Sequence, residues 1–194
     1  MKLILASQSP RRRELLARMG LDFTVISPRI DEDAFNDPDP AALVRTLSRE
    51  KALAVARDQD PETLVIAADT VVVLDGQALG KPGDEAEAAA MLSALSGRSH
   101  AVWTGVTVCQ GSRADTEAEC TQVTFRPLTQ EEIRHYVATG EPMDKAGAYG
   151  IQGFGSLLVE GIRGDYFNVV GLPVCRLGRM LAAFGVDCLA LAGS

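Results

Sequence analysis

Apolar, largely β-branched runs alternate along this chain with capped helical segments, and that alternation confines it to the α/β class. The pattern predicts a buried strand at 2–6. A helix follows from Pro10 to about Met19, with Ser9 as N-cap, Pro10 in the first turn and Gly20 as the stop. A short strand is expected at 23–26 and an acidic, proline-bearing loop at 31–40. Asp39-Pro40 then opens a second helix to about Ala56. Two strands are expected at 63–68 and 71–74, with a turn at Asp75-Gly76. Asp84 with Glu87 resembles a capping box and starts a helix to about Leu95. The runs 100–109 and 117–125 read as an antiparallel hairpin across Gln110-Gly111-Ser112. Thr129 and Glu132 form a second capping box, for a helix to about Ala138. A glycine-rich loop at 146–155, a late hairpin from 157–161 and 165–170, and a helix at 173–184 complete the reading. Hairpins intervene among the alternating elements, so the sheet is expected to be mixed.

The 194 residues are 46% hydrophobic and 23% charged, which supplies a core and excludes a disordered chain. The net charge of -7 argues against a nucleic-acid polymer as partner, because such partners need a broad basic surface. No stretch approaches the roughly 18 apolar residues of a membrane span. Arg11, Arg12 and Arg13 follow the short apolar N-terminal run at once, so no secretory leader is expected. Cys109, Cys120, Cys175 and Cys188 have no C-x-x-C spacing and are read as reduced core residues of a cytoplasmic protein.

Four constellations can carry chemistry. Ser7-Gln8-Ser9-Pro10-Arg11-Arg12-Arg13 stands where a strand turns into a helix, and helix N-termini attract anions. Concentrated positive charge in an acidic chain favours a phosphate site there over a simple N-cap with solvated arginines. Asp69, at the expected end of an apolar strand, is placed to hold a metal or activate water, or else is a turn aspartate. Lys51 and Lys81 are candidate cations; Lys81 sits in the rigid context Gly80-Lys81-Pro82, whereas an isolated lysine is usually a solvated surface residue. Asp31 and Glu32 offer a further carboxylate or form a solvated acidic loop. The segment from Gly140 to Gly153 carries four glycines that permit close backbone approach to a ligand, or makes a structural crossover. These parts suggest a protein that binds a phosphorylated ligand with a divalent cation.

The motifs Ala6-Ser7-x-Ser9-Pro10-Arg11-Arg12-x-Glu14-Leu15-Leu16, Arg49-Glu50-Lys51-Ala52, Ala68-Asp69-Thr70-Val71, Gly80-Lys81-Pro82, Ser96-Gly97 and Thr104-Gly105 occur in order. Glu141-Pro142-x-Asp144-Lys145-Ala146-Gly147-Ala148-Tyr149-Gly150-Ile151-Gln152-Gly153 and Val169-Val170-Gly171-Leu172-Pro173 follow. Over residues 3 to 180 this resembles the Maf family of nucleoside triphosphate pyrophosphatases. The resemblance implies one Maf domain over 1–194. Its fold is α/β and similar to inosine triphosphate pyrophosphatases, with two lobes around a deep cleft on a long mixed sheet, and it is commonly a homodimer. It implies cleavage between the α- and β-phosphates with Mg²⁺ or Mn²⁺, as house-cleaning of noncanonical or surplus nucleotides. Asp69 matches the family's proton acceptor, Glu32 and Asp69 its metal carboxylates, and Ser7, Arg11, Arg12, Lys51 and Lys81 its substrate-binding residues. Arg12, Thr70 and Gln152 match the dTTP/UTP subgroup rather than the 7-methyl-GTP one. The alternatives are a nucleotide-binding regulator of cell division with little turnover and a 7-methyl-GTP pyrophosphatase; against a purine enzyme of the inosine triphosphate type stands the Ser9-Pro10-Arg11-Arg12 motif.

Overall fold

A computed structural model describes residues 2–192. Among these residues seven strands form one sheet, in the order β2 (Thr24–Ile26), β1 (Leu3–Ala6), β3 (Leu64–Leu74), β5 (Ser99–Gln110), β6 (Arg113–Phe125) and β7 (Val159–Arg163), with β4 (Gln77–Leu79) on β3. The described residues form two compact units: one holds those up to Asp69, Thr104–Glu119 and those from Gly171 on; the other holds Thr70–Trp103 and Cys120–Val170.

In the first unit, β1 (Leu3–Ala6) is fully buried and pairs in parallel with β2 (Thr24–Ile26) and β3 (Leu64–Leu74). Between β1 and β2 runs α1 (Pro10–Arg18), capped by Ser9 with Pro10 in its first turn. The acidic loop contains a single 3-10 turn, Glu32–Ala34. Helix α2 (Pro40–Ala56) starts as its sequence dictates, with the Asp39 carboxylate accepting the Ala41 amide at 3.0 Å. Its buried stripe, Val44, Leu47, Ser48, Lys51, Ala52 and Val55, keeps the three-and-four spacing of an amphipathic helix. Ala52 and Val55 join Ile4, Ala6, Val65, Ala67 and Cys109 in one apolar cluster. Residues of α6 (Val174–Ala183) and α7 (Cys188–Ala192) complete this unit; α7 had no counterpart in the sequence reading.

The two strands expected at 63–68 and 71–74 are one strand. β3 runs unbroken through Asp69-Thr70, so Asp69 is not at a strand end. Neighbouring strands change instead: the β1 ladder ends at Ala67 and the β4 ladder begins at Val72, leaving Asp69 between them.

In the second unit, β3 continues into a two-residue hairpin with β4 (Gln77–Leu79), and Asp75 and Gly76 both adopt the positive φ that such a turn requires. Helix α3 (Glu85–Leu95) has Asp84 as N-cap, but its capping box is incomplete: Glu87 takes the Gly83 amide rather than that of Asp84. Strands β5 (Ser99–Gln110) and β6 (Arg113–Phe125), of which Thr104–Glu119 belongs to the first unit, are longer than expected and joined by Gly111-Ser112. The capping box of α4 (Gln130–Ala138) is complete. The glycine-rich segment is wound into 3-10 turns at Glu141–Asp144, Ala146–Ala148 and Gly153–Leu157.

The late hairpin does not form. β7 (Val159–Arg163) pairs back on β6, and Tyr166–Val170 is a helix, α5. Its valines and aromatics favour a strand, but the buried Asn168 amide donates to Val102 O and Thr121 Oγ1, both at 3.0 Å, and tertiary bonding overrides propensity. The cysteines need a similar correction. Only Cys109 is in the core; Cys120 and Cys188 are half-buried, Cys175 is exposed, and all four are free thiols. Among the described residues no helix is long and apolar enough to cross a membrane.

Candidate active site

In the first unit, the chain just past the end of β1 carries the first of the candidate residues. The buried Ser7 accepts the Ser9 amide on its Oγ at 3.1 Å, and Ser9 Oγ in turn accepts the Arg12 amide. This turn leads the chain from the core strand into α1 and gathers amides and hydroxyls at the positive end of the helix. An open pocket of about 250 Å³ lies against it, lined by Ser7, Gln8, Ser9, Pro10, Arg13, Val25 and Ser27. Arg12 turns back into the protein, and its Nε donates to Gly171 O at 2.8 Å. Burial lowers its guanidinium pKa, while the nearby charges of Asp69 and Glu32 raise it and Arg11 lowers it. Arg11, Arg12, Glu32 and Asp69 therefore share one electrostatic neighbourhood.

Lys51 is its centre. The ammonium donates to Asp69 Oδ1 at 2.6 Å and pairs with Glu32 Oε1 at 2.9 Å. Only 7% of Lys51 and 8% of Asp69 are exposed. The lysine lies in the buried stripe of α2 and not on a solvated face, and that placement depends on how closely α2 meets the sheet. A Cβ on Gly105 would come within 2.0 Å of Val44 O, and Ser48 Oγ hydrogen-bonds Thr107 Oγ1 at 3.0 Å.

Two carboxylates converging on one ammonium already hold a cation between them, and their hard oxygens suit Mg²⁺ or Mn²⁺. Among the described residues no group of three or more His, Cys, Asp or Glu side chains is placed to hold a metal ion. A cation here would take its remaining ligands from water and phosphate, the usual pattern for Mg²⁺.

Thr70, Lys81 and Gln152 belong to the second unit. Thr70 is a half-buried residue of β3, and Lys81 is exposed. The Lys81 loop is tied down in its own unit: Gly80 O accepts the Gly147 amide at 3.0 Å, and Pro82 is buried. Gln152 opens the turn Gly153–Leu157 without capping it through its side chain. That bond comes instead from Glu141, which the sequence reading included only as part of a motif; its Oε2 accepts the Phe154 amide at 3.0 Å and its Oε1 the Gly155 amide at 2.9 Å. His100, read as a mere strand start, is buried against Phe125 and Tyr149 and bonds Tyr149 Oη at 2.8 Å.

The profile of the family described as "Maf-like protein" matches residues 2–184. The chain belongs to the Maf-like proteins. A relative from Moorella thermoacetica named dTTP/UTP pyrophosphatase is 59% identical over 189 residues, covering 96% of each chain. Maf-like relatives of the same name from Symbiobacterium thermophilum and Bacillus pumilus are 54% and 51% identical, over 95% of this chain and 94% and 97% of theirs. Solved structures also align. A nucleoside-triphosphatase/dITP/XTP pyrophosphatase from Mycobacterium abscessus does so at a TM-score of 0.47 and 18% identity, covering 95% and 97% of the two chains. The Staphylococcus aureus Ham1 protein aligns at 0.48 and 15%, covering 82% and 80%. Likeness of that degree carries no functional inference for this Maf-like chain.

Proposed function

We propose that this Maf-like protein hydrolyses dTTP and UTP to the nucleoside monophosphate and pyrophosphate. The observation that carries the reading is the convergence of Asp69 and Glu32 on buried Lys51 beside Arg12, in a chain whose relatives at 51–59% identity bear the name dTTP/UTP pyrophosphatase. Asp69 is the proton acceptor. It orients a water toward the α-phosphorus and takes its proton as the new P–O bond forms; the bond to the bridging oxygen breaks, and pyrophosphate leaves with the electron pair. Ser7 and the start of α1 supply donors for phosphate oxygens. Arg11, Arg12, Lys51 and Lys81 offset the triphosphate charge, and cations aimed at the phosphoryl oxygens stabilise the charge that develops there in the transition state. A divalent cation held by Glu32 and Asp69 would supply further positive charge to the phosphates.

Thr70 and Gln152 select the base. The Gln152 amide offers both a donor and an acceptor, as the O4 and N3–H edge of thymine and uracil requires. The test is pyrophosphate release from dTTP, UTP, CTP, ITP and 7-methyl-GTP. dTTP and UTP are expected to exceed 7-methyl-GTP in kcat/KM by about tenfold or more. Binding without turnover on every triphosphate would support a regulator instead.

A further inference from the structure

Gln152 is flanked by backbone that two side chains of the second unit hold in place. Before it, the Gly150 amide donates to Tyr136 Oη at 3.2 Å. After it, the Phe154 and Gly155 amides donate to the two oxygens of Glu141. The two anchors are joined, because Tyr136 Oη donates to Glu141 Oε1 at 2.9 Å. Glu141 is itself pinned at the end of α4: its amide donates to Thr139 Oγ1 at 3.1 Å, and its carbonyl accepts from Lys145 Nζ at 2.6 Å. The carboxylate also occupies the space beside residue 153, where a Cβ would lie 2.6 Å from Glu141 Oε2, and Gly153 has a φ of +63°. Three donors therefore converge on an acceptor-only group, and no side chain of the turn performs that task.

We propose that Glu141, relayed through Tyr136, is the positioning residue that fixes the backbone on both sides of Gln152 and so sets the base preference of the enzyme. This rests on the reading that Gln152 selects the base. Glu141→Gln keeps the size of the side chain but turns one acceptor into a donor, which opposes one of the three converging donors. Tyr136→Phe keeps the ring and removes the relay.

The experiment measures kcat and KM of wild type, Glu141→Gln, Tyr136→Phe, the double variant and Gln152→Ala, each with dTTP and with GTP, alongside thermal unfolding. Glu141→Gln is expected to lower the dTTP/GTP ratio of kcat/KM by about tenfold, mainly through KM for dTTP. Tyr136→Phe should lower it by less, and the double variant by less than the product of the two. If Glu141→Gln fails to fold, Tyr136→Phe and its dTTP/GTP ratio decide alone. Equal losses on both nucleotides would overturn the proposal and leave Glu141 a purely structural brace. If Gln152→Ala collapses the ratio and the other variants do not, the positioning role fails while the reading of Gln152 stands. If Gln152→Ala leaves the ratio intact, the reading of Gln152 itself fails.

Discussion

Asp69 and Lys51 make different demands on their neighbours, and substitution separates them. In Asp69→Asn the ammonium keeps Glu32 as a partner, so no buried charge is orphaned. The variant should fold with a melting temperature near that of wild type and lose about 10²-fold or more in kcat on dTTP, because the amide cannot accept the proton of water. In Lys51→Met the buried Asp69 loses its hydrogen-bonded ammonium and is left with the charge of Arg12 nearby, and breaking a buried pair by removing one partner costs about 3–5 kcal/mol. That variant should lose stability as well as activity; a urea midpoint unchanged from wild type would contradict the assignment. Asp69 could be singled out from the sequence because it interrupts an apolar run, whereas Lys51 and Glu32 came from the family resemblance: alone they read as a solvated lysine and as part of an acidic loop. Only the fold puts Lys51 in the buried stripe of α2. Glu141 could not be read this way, because what distinguishes it is a set of backbone amides and a tyrosine that only the folded second unit brings together.

Helix α2 carries Lys51, and its height above the sheet is set by the missing side chain at Gly105. A methyl there would meet Val44 O and C at 2.0 and 2.3 Å, both backbone atoms, so no rotamer can relieve it. Gly105→Ala should destabilise the protein by about 3 kcal/mol or more and lower kcat, since α2 must move and Lys51 moves with it. Gly178 in α6 is the contrasting case: a Cβ there meets nothing within 4 Å. Gly178→Ala should raise stability by about 1 kcal/mol through helix propensity, with kcat/KM unchanged. Denaturant midpoints of the two variants, measured side by side, test both signs. Caps and turns made α1, α2, α3 and α4 legible to within a few residues, because those signals are local. β3 was divided in two because Asp69-Thr70 looks like punctuation, and the function of such a pair in mid-strand depends on where neighbouring strands stop. α5 was missed because its stability comes from Asn168 reaching β5 and β6 rather than from its own sequence.

The whole molecule should respond to acid through a group outside the candidate active site. His100 is 4% exposed, edge-on to Phe125 and Tyr149, and its Nδ1 has no hydrogen-bond partner among the described residues. Burial lowers its pKa from the usual 6.5 to about 4. Between those values the unfolded chain binds a proton that the native state refuses, so stability falls as pH falls. The loss across the full window is roughly 3 kcal/mol, and about 2 kcal/mol of it is expected by pH 5. Glu132 acts in a different range. The hydrogen bond from Arg126, then that from the Thr129 amide, hold its carboxyl down at about 2, so its contribution is intact above 4.5 and is lost only as pH falls toward 2. The interval from 6.5 to 4.5 therefore isolates the histidine from the α4 capping box. Urea midpoints at pH 7.5 and 5.0 should differ by about 2 kcal/mol of stability in wild type. In His100→Phe the ring contacts remain while the bond to Tyr149 Oη is lost, so the variant starts less stable at pH 7.5. Its stability should then change much less between the two pH values, because the group that refused the proton is gone. A wild-type midpoint indifferent to pH over this range, or a variant as sensitive as wild type, would show that His100 is not the acid-sensitive element of the fold.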